Sequence, residues 1–177
     1  MLYALVLDAN GNGIGSHAYA EQPSALPTNE FPCTQAQAQT ANGWALVNGA
    51  LVESLAYART VQIATLGGAC GAAITSGFTS SALGSAHTYP SGLTDQANLA
   101  ANVVSSLMPG MSSTWTTPQL CCDANGVWAY VAHTAAQIQQ VGSDGKAAIL
   151  GYLTKKASLQ AEIEAATTVA AVQAIVW

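Results

Sequence analysis

Apolar residues recur at helical spacing across the run from His133 to Ala166. Ile138, Val141, Ile149, Tyr152, Leu159 and Ile163 fall on one stripe, and Gln137, Gln140, Asp144, Glu162 and Glu164 point away from it. The spacing predicts a long amphipathic helix with Thr134 as its N-cap. A short second helix follows from Val169 to Val176, capped at Thr167-Thr168. Gly142 and Gly145 each cost about 1 kcal/mol against Ala inside a helix, and Lys156 interrupts the stripe, so a break is expected near Ser143.

Upstream the period changes. Residues 2–8 alternate as a strand, ANGNG reads as a turn, and IGSHAYA as a returning strand, which together make a hairpin. The three prolines of residues 21–33 predict an irregular connector, after which Thr34 caps a short Gln/Ala-rich helix ended by Gly43. Trp44 to Val52 reads as a second hairpin, with Asn48-Gly49 as a type I′ turn. From Glu53 the spacing is helical through Leu55, Ala58, Ile63, Leu66, Cys70, Ala73 and Ile74, with Gly77 placed to stop it. Gly67-Gly68 within that run suggests a kink or close packing against another helix.

Phe78 to Tyr89 predicts two short strands about Leu83-Gly84-Ser85. Thr94 reads as the cap of a helix that ends before Pro109-Gly110. A further hairpin joins residues 113–122 to residues 127–133 through Asp123-Ala124-Asn125-Gly126. The expected fold class is α+β without a βαβ rhythm. It comprises a β-hairpin-rich N-terminal module, residues 1–53, and an α+β domain, residues 54–177, that carries the long C-terminal helix.

Charge changes the picture most. The 177 residues hold 4 basic and 9 acidic side chains, 7% in all, against about 25% in an ordinary soluble domain. A chain with so little charge has little to keep copies apart, which favours a subunit of an assembly. Arg59, Lys146, Lys155 and Lys156 are the whole cationic supply and the net charge is −5, so a nucleic-acid partner is not expected. No apolar run approaches membrane-spanning length, and MLYALVLDAN lacks the features of a signal peptide, so no membrane is expected and synthesis is placed in a cytoplasm. Cys33, Cys70, Cys121 and Cys122 lack metal-ligand spacing and read as free thiols.

No cofactor, metal or catalytic residue is expected. Asp8, Asn10, Asn12 and Gly13 match half of an EF-hand loop, but Tyr19 stands where a bidentate Glu is required. Gly11, Gly13 and Gly15 lack the third glycine of a dinucleotide fingerprint and the helix that should follow it. His17, His87 and His133 fall in three different strands, with His87 beside Tyr89, or Cys122 near His133, as the groups that could meet in space. The aromatic residues are the more suggestive group. Tyr89, Trp115, Trp128, Tyr130 and Trp177 are the candidate interaction surface.

The blocks Ser76-Gly77-Phe78, His87-Thr88-Tyr89, Thr94 to Leu99, His133 to Gln137 and Ala165 to Val169 carry a resemblance. From about Glu53 to the end the chain resembles a C-terminal domain encoded beside tail-fibre genes of tailed bacteriophages. LYALVLDANGNGIG is similar to the start of tail-fibre assembly proteins. The resemblance implies a non-enzymatic structural component of the virion tail, attached to or capping the tail fibre or baseplate. It also admits an assembly chaperone lost from the particle, or a receptor-binding module at the fibre tip. The implied partners are a fibre or baseplate protein and further copies of the chain, with a trimer favoured by the symmetry of fibres.

Overall fold

The computed structural model describes residues 1–110 and 112–177. In chain order the elements are β1 (Leu2–Leu7), β2 (Gly13–Tyr19), β3 (Glu30–Cys33), α1 (Gln35–Gln39), β4 (Trp44–Val47), β5 (Ala50–Glu53) and α2 (Leu55–Thr75). There follow β6 (Phe78–Ser80), β7 (His87–Tyr89), α3 (Leu93–Ser105), β8 (Thr116–Cys122), β9 (Trp128–Thr134), α4 (Ala135–Ala165) and α5 (Val169–Gln173). The class is α+β with antiparallel sheets and a long C-terminal helix. The chain divides into two compact units, one of residues 1–66 with 159–176 and one of residues 67–158 with Trp177. This line differs from the change of pattern at residue 53, because α2 and α4 each give residues to both units.

In the first unit β1 is the middle strand of a sheet ordered β2-β1-β3. The β1–β2 turn is held by Asp8, whose carboxylate accepts from the backbone N–H of Asn10 and of Asn12, both at 2.8 Å. Strand β3 lies inside the stretch expected to be irregular. Pro32 pairs with Ala4 there, and it is tolerated because β3 is an edge strand on which a missing N–H costs no ladder bond. The β4–β5 hairpin has the expected type I′ turn, with positive φ at Asn48 (51°) and Gly49 (80°). Thr34 caps α1 with a reciprocal bond from Gln37, and Ser54 accepts from the N–H of Tyr57 at the start of α2. Ala4, Leu5, Leu7, Leu66, Ile163 and Val172 are buried in this unit. Arg59 donates at 2.7 Å to the carbonyl of Ala166, just past the end of α4, where a cation meets the negative end of the helix dipole. Thr168 rather than Thr167 caps α5, accepting from the N–H of Ala171.

The second unit is built on an antiparallel sheet ordered β6-β7-β8-β9. One face packs on α3 and α4, with Phe78, Tyr89, Cys121, Ile138 and Val141 as its core and Leu99, Val103 and Ala148 packed against them. Gly77 has φ +109°, and a Cβ there would stand 2.8 Å from the carbonyl of Tyr89, so the residue that ends α2 also lets β6 and β7 meet. Helix α3 starts two residues earlier than expected. Gly92 is its N-cap in place of Thr94, and Asp95 accepts from the Gly92 N–H at 3.1 Å.

The expected break near Ser143 does not occur, and α4 runs unbroken through both glycines. Their cost is offset by close packing: a Cβ at Gly142 would lie 2.7 Å from Val103, and one at Gly145 would lie 2.9 Å from the ring of Phe78. Asp144, expected to face away from the stripe, accepts from the hydroxyl of Ser80 at 2.6 Å and from Gln140 at 2.7 Å. Gly67 and Gly68 show the opposite environment, since a Cβ at either would meet nothing within 4 Å.

Candidate functional site

Alternate residues of one strand face opposite sides of a sheet, so the register of β8 and β9 sorts the candidate residues. Thr117 pairs with His133, Gln119 with Val131 and Cys121 with Ala129 on the helix-covered side. Pro118 pairs with Ala132, Leu120 with Tyr130 and Cys122 with Trp128 on the outer side, where Cys122 also meets Thr88 of β7.

The covered face holds the polar cluster. His133 and Tyr89 are both fully buried, with the imidazole Nε2 2.9 Å from the phenol oxygen and Nδ1 2.8 Å from the carbonyl of Val131. A carbonyl can only accept, so Nδ1 carries the proton and the Tyr89 hydroxyl donates to Nε2. Burial holds the imidazole below its ordinary range, and the bond to the Val131 carbonyl opposes that shift only in part. Burial likewise pushes up the Tyr89 phenol and the Cys121 thiol. A neutral imidazole, a protonated phenol and a protonated thiol, all sealed from solvent, make a satisfied core network and not an activated nucleophile. Cys122 lies on the opposite face from His133, so the pair suggested by sequence does not form; Cys121 is the cysteine on the histidine's side. Asn102 of α3 completes the network's rim. It accepts from Thr117 and donates to Gln119, both at 2.9 Å.

The other two histidines stand apart from this cluster. His87 bonds the carbonyl of Ser85. His17 and Tyr19 both reach Glu30, each at 2.7 Å. That trio went unnoticed in the sequence because it is assembled by strand order, with β1 between its partners. The Tyr19 hydroxyl, more than His17, holds the Glu30 carboxyl below its ordinary range. Among the described residues no three His, Cys, Asp or Glu side chains gather to hold a metal ion. The EF-hand-like stretch at Asp8 is a turn whose carboxylate is used by its own backbone, and Asp123 repeats it, accepting from the N–H of Asn125 and of Val127 at 2.9 Å. Gly13 is fixed by packing, since a Cβ there would collide with the carbonyl of Ala41.

The outer face is different in kind. Trp128 is 50% and Tyr130 74% exposed, two residues apart on β9, with Cys122 and Leu120 opposite them and Thr88 beyond Cys122. None of these side chains is charged. Of the five aromatic residues expected at a surface, the structure brings these two together. Tyr89 belongs instead to the core, stacked on Phe78 at 5.6 Å, which corrects the expectation for that residue. Trp115 is half-buried against the same core. Trp177 is half-buried beside Tyr152, with the Lys155 ammonium 4.5 Å from the centre of its ring. Leu120 and Pro118 were missed, although the turn at Asp123 to Gly126 fixes the register that places them; Thr88 is brought in by the separate pairing of β7 with β8. A separate apolar groove of about 580 Å³ runs between α3 and α4, lined by Leu99, Val103, Val104 and Ile149 with Lys146 as its charged residue.

A family model described as Domain of unknown function (DUF4376) matches residues 57–176, more than half of the chain. The chain belongs to that family. No curated protein and no solved structure matches it. The family's span begins in the first turn of α2 and takes in both faces of the four-stranded sheet, so the His133 network and the Trp128 surface both lie within the DUF4376 region.

Proposed function

We propose that the chain is a non-enzymatic structural component of a bacteriophage tail, attached to or capping the fibre or baseplate. The observation that carries this reading is the uncharged outer sheet face with Trp128 and Tyr130 exposed side by side. Such aromatic pairs supply large contact area at small entropic cost, which is the usual chemistry of interface anchors. The family blocks and the 7% charge support the same reading, as does the sealed cluster of the Cys121 thiol, the Tyr89 phenol and the neutral His133 imidazole.

The test is mass spectrometry of gradient-purified particles, with copy number set against a known capsid subunit. A fixed, low copy number supports a tail component. Absence from particles, with abundance in infected cells, replaces it with the assembly chaperone. A second reading, receptor binding at the fibre tip, is favoured by the flat aromatic pair among the hydroxyls of Thr88, Thr116 and Thr134, a surface suited to stacking on sugar rings. Trp128→Ala particles that assemble normally but adsorb poorly to host cells would select it, whereas particles lacking the protein would select attachment to the tail.

A further inference from the structure

We propose that β9 is the contact through which two copies of this chain pair about a twofold axis, joining their four-stranded sheets into one. Strand β9 is an edge. Among the described residues it pairs with β8 on one side and with no strand on the other. Soluble proteins guard such an edge with charge, proline, a bulge or a very short strand. Here the seven residues Trp128 to Thr134 contain no Asp, Glu, Lys, Arg or Pro, and their register with β8 is continuous over all seven pairs. Nothing on the strand keeps a further strand away.

The sequence of the strand favours a copy of itself as the occupant. An antiparallel pair centred on Val131 sets Trp128 opposite Thr134 of the other copy, Tyr130 opposite Ala132, and Ala129 opposite His133. Each large outer-face side chain then meets a small one, and both copies do so identically, as a twofold contact requires. Centring on the middle residue also uses the full strand. The charge balance points the same way: two chains of net charge −5 can approach most closely where neither presents a charge. The paired length is about 24 Å, which covers less than the roughly 800 Å² per partner of a standard stable interface, so a Kd of about 1–100 µM is expected. Pairing would also set four aromatic rings in one row on the outer face. The inference does not depend on the tail assignment.

Sedimentation velocity of the full chain over about 1–200 µM tests it. The expected result is a monomer–dimer equilibrium that Ala132→Lys weakens by about tenfold or more, with an unchanged circular-dichroism melt showing that the variant folds. In a Cys33→Ser background, Tyr130→Cys with Ala132→Cys should give a reducible dimer on mild oxidation, and Ala132→Cys alone should not, because the register sets position 130 against position 132. A chain monomeric throughout, a trimer, or a dimer that Ala132→Lys leaves unchanged would overturn the proposal. Failure of the double-cysteine variant to cross-link would overturn the register, and the proposal with it. A dimeric chain that is absent from purified particles would count against the proposed function alone.

Discussion

Tyr89 and Tyr130 are carried by one sheet and lie on its opposite faces. Tyr89 is fully buried, stacked on Phe78, and donates a hydrogen bond to His133; Tyr130 is mostly exposed and needs no protein partner. On the covered face each buried polar atom described has found a bond, from His133 to the Thr117, Asn102 and Gln119 relay. On the outer face Trp128 and Tyr130 lie open and no side chain named there is charged. A residue type therefore carries no function by itself; the parity of its strand position and the helices on one side decide whether it is core or contact.

The largest expected effect separates the two tyrosines. Tyr89→Ala removes a buried ring and orphans Nε2 of His133, so it should cost about 3–5 kcal/mol in denaturant unfolding. Tyr130→Ala should stay within about 0.5 kcal/mol of the parent at concentrations where the chain is monomeric. Comparable losses at both positions would break the comparison, because the outer face would then be part of the core.

Next come the helix glycines, which sharpen the same contrast between covered and open surface. Gly145→Ala drives a methyl group to 2.9 Å from the Phe78 ring and should cost about 1–3 kcal/mol by overpacking. Gly68→Ala meets open space on α2 and should gain up to about 1 kcal/mol from helix propensity. Opposite signs for one substitution in two helices would be read directly from the shift in the unfolding midpoint. A loss at Gly68 would show that its face is covered in solution.

Hairpins and helices were legible where local chemistry alone decides them. Asn48-Gly49, the two Asp-Ala-Asn-Gly turns and the Thr34 and Thr168 caps are short-range bonds, and the sequence patterns name their residues. What misled was every position decided by a distant neighbour. Gly142 and Gly145 look like breakers until Val103 and Phe78 are seen against them, and Pro32 argues against a strand until β3 proves to be an edge. The candidate site was half legible: Trp128 and Tyr130 follow from the hairpin, but the burial of Tyr89 depends on α3 and α4 covering one side of the sheet. A single chain of residues does not state which face a helix will cover.

The smallest of these effects is the pH dependence of the covered face. His133 titrates near 6.5 when unfolded and lower when buried, so between its folded and unfolded values the unfolded chain binds a proton that the native chain does not. Stability from this group is complete above about pH 6.5 and is lost as pH falls below it, by up to about 1.4 kcal/mol per pH unit for one proton. The hydrogen-bonded carboxyls of Asp8, Glu30 and Asp123 are held below their ordinary values, so their loss follows only in more acid solution. Two separate declines in unfolding free energy are therefore expected on acidification. His133→Gln should erase the first while keeping a side chain able to bond Tyr89. Persistence of the decline in that variant would show that it does not arise from His133.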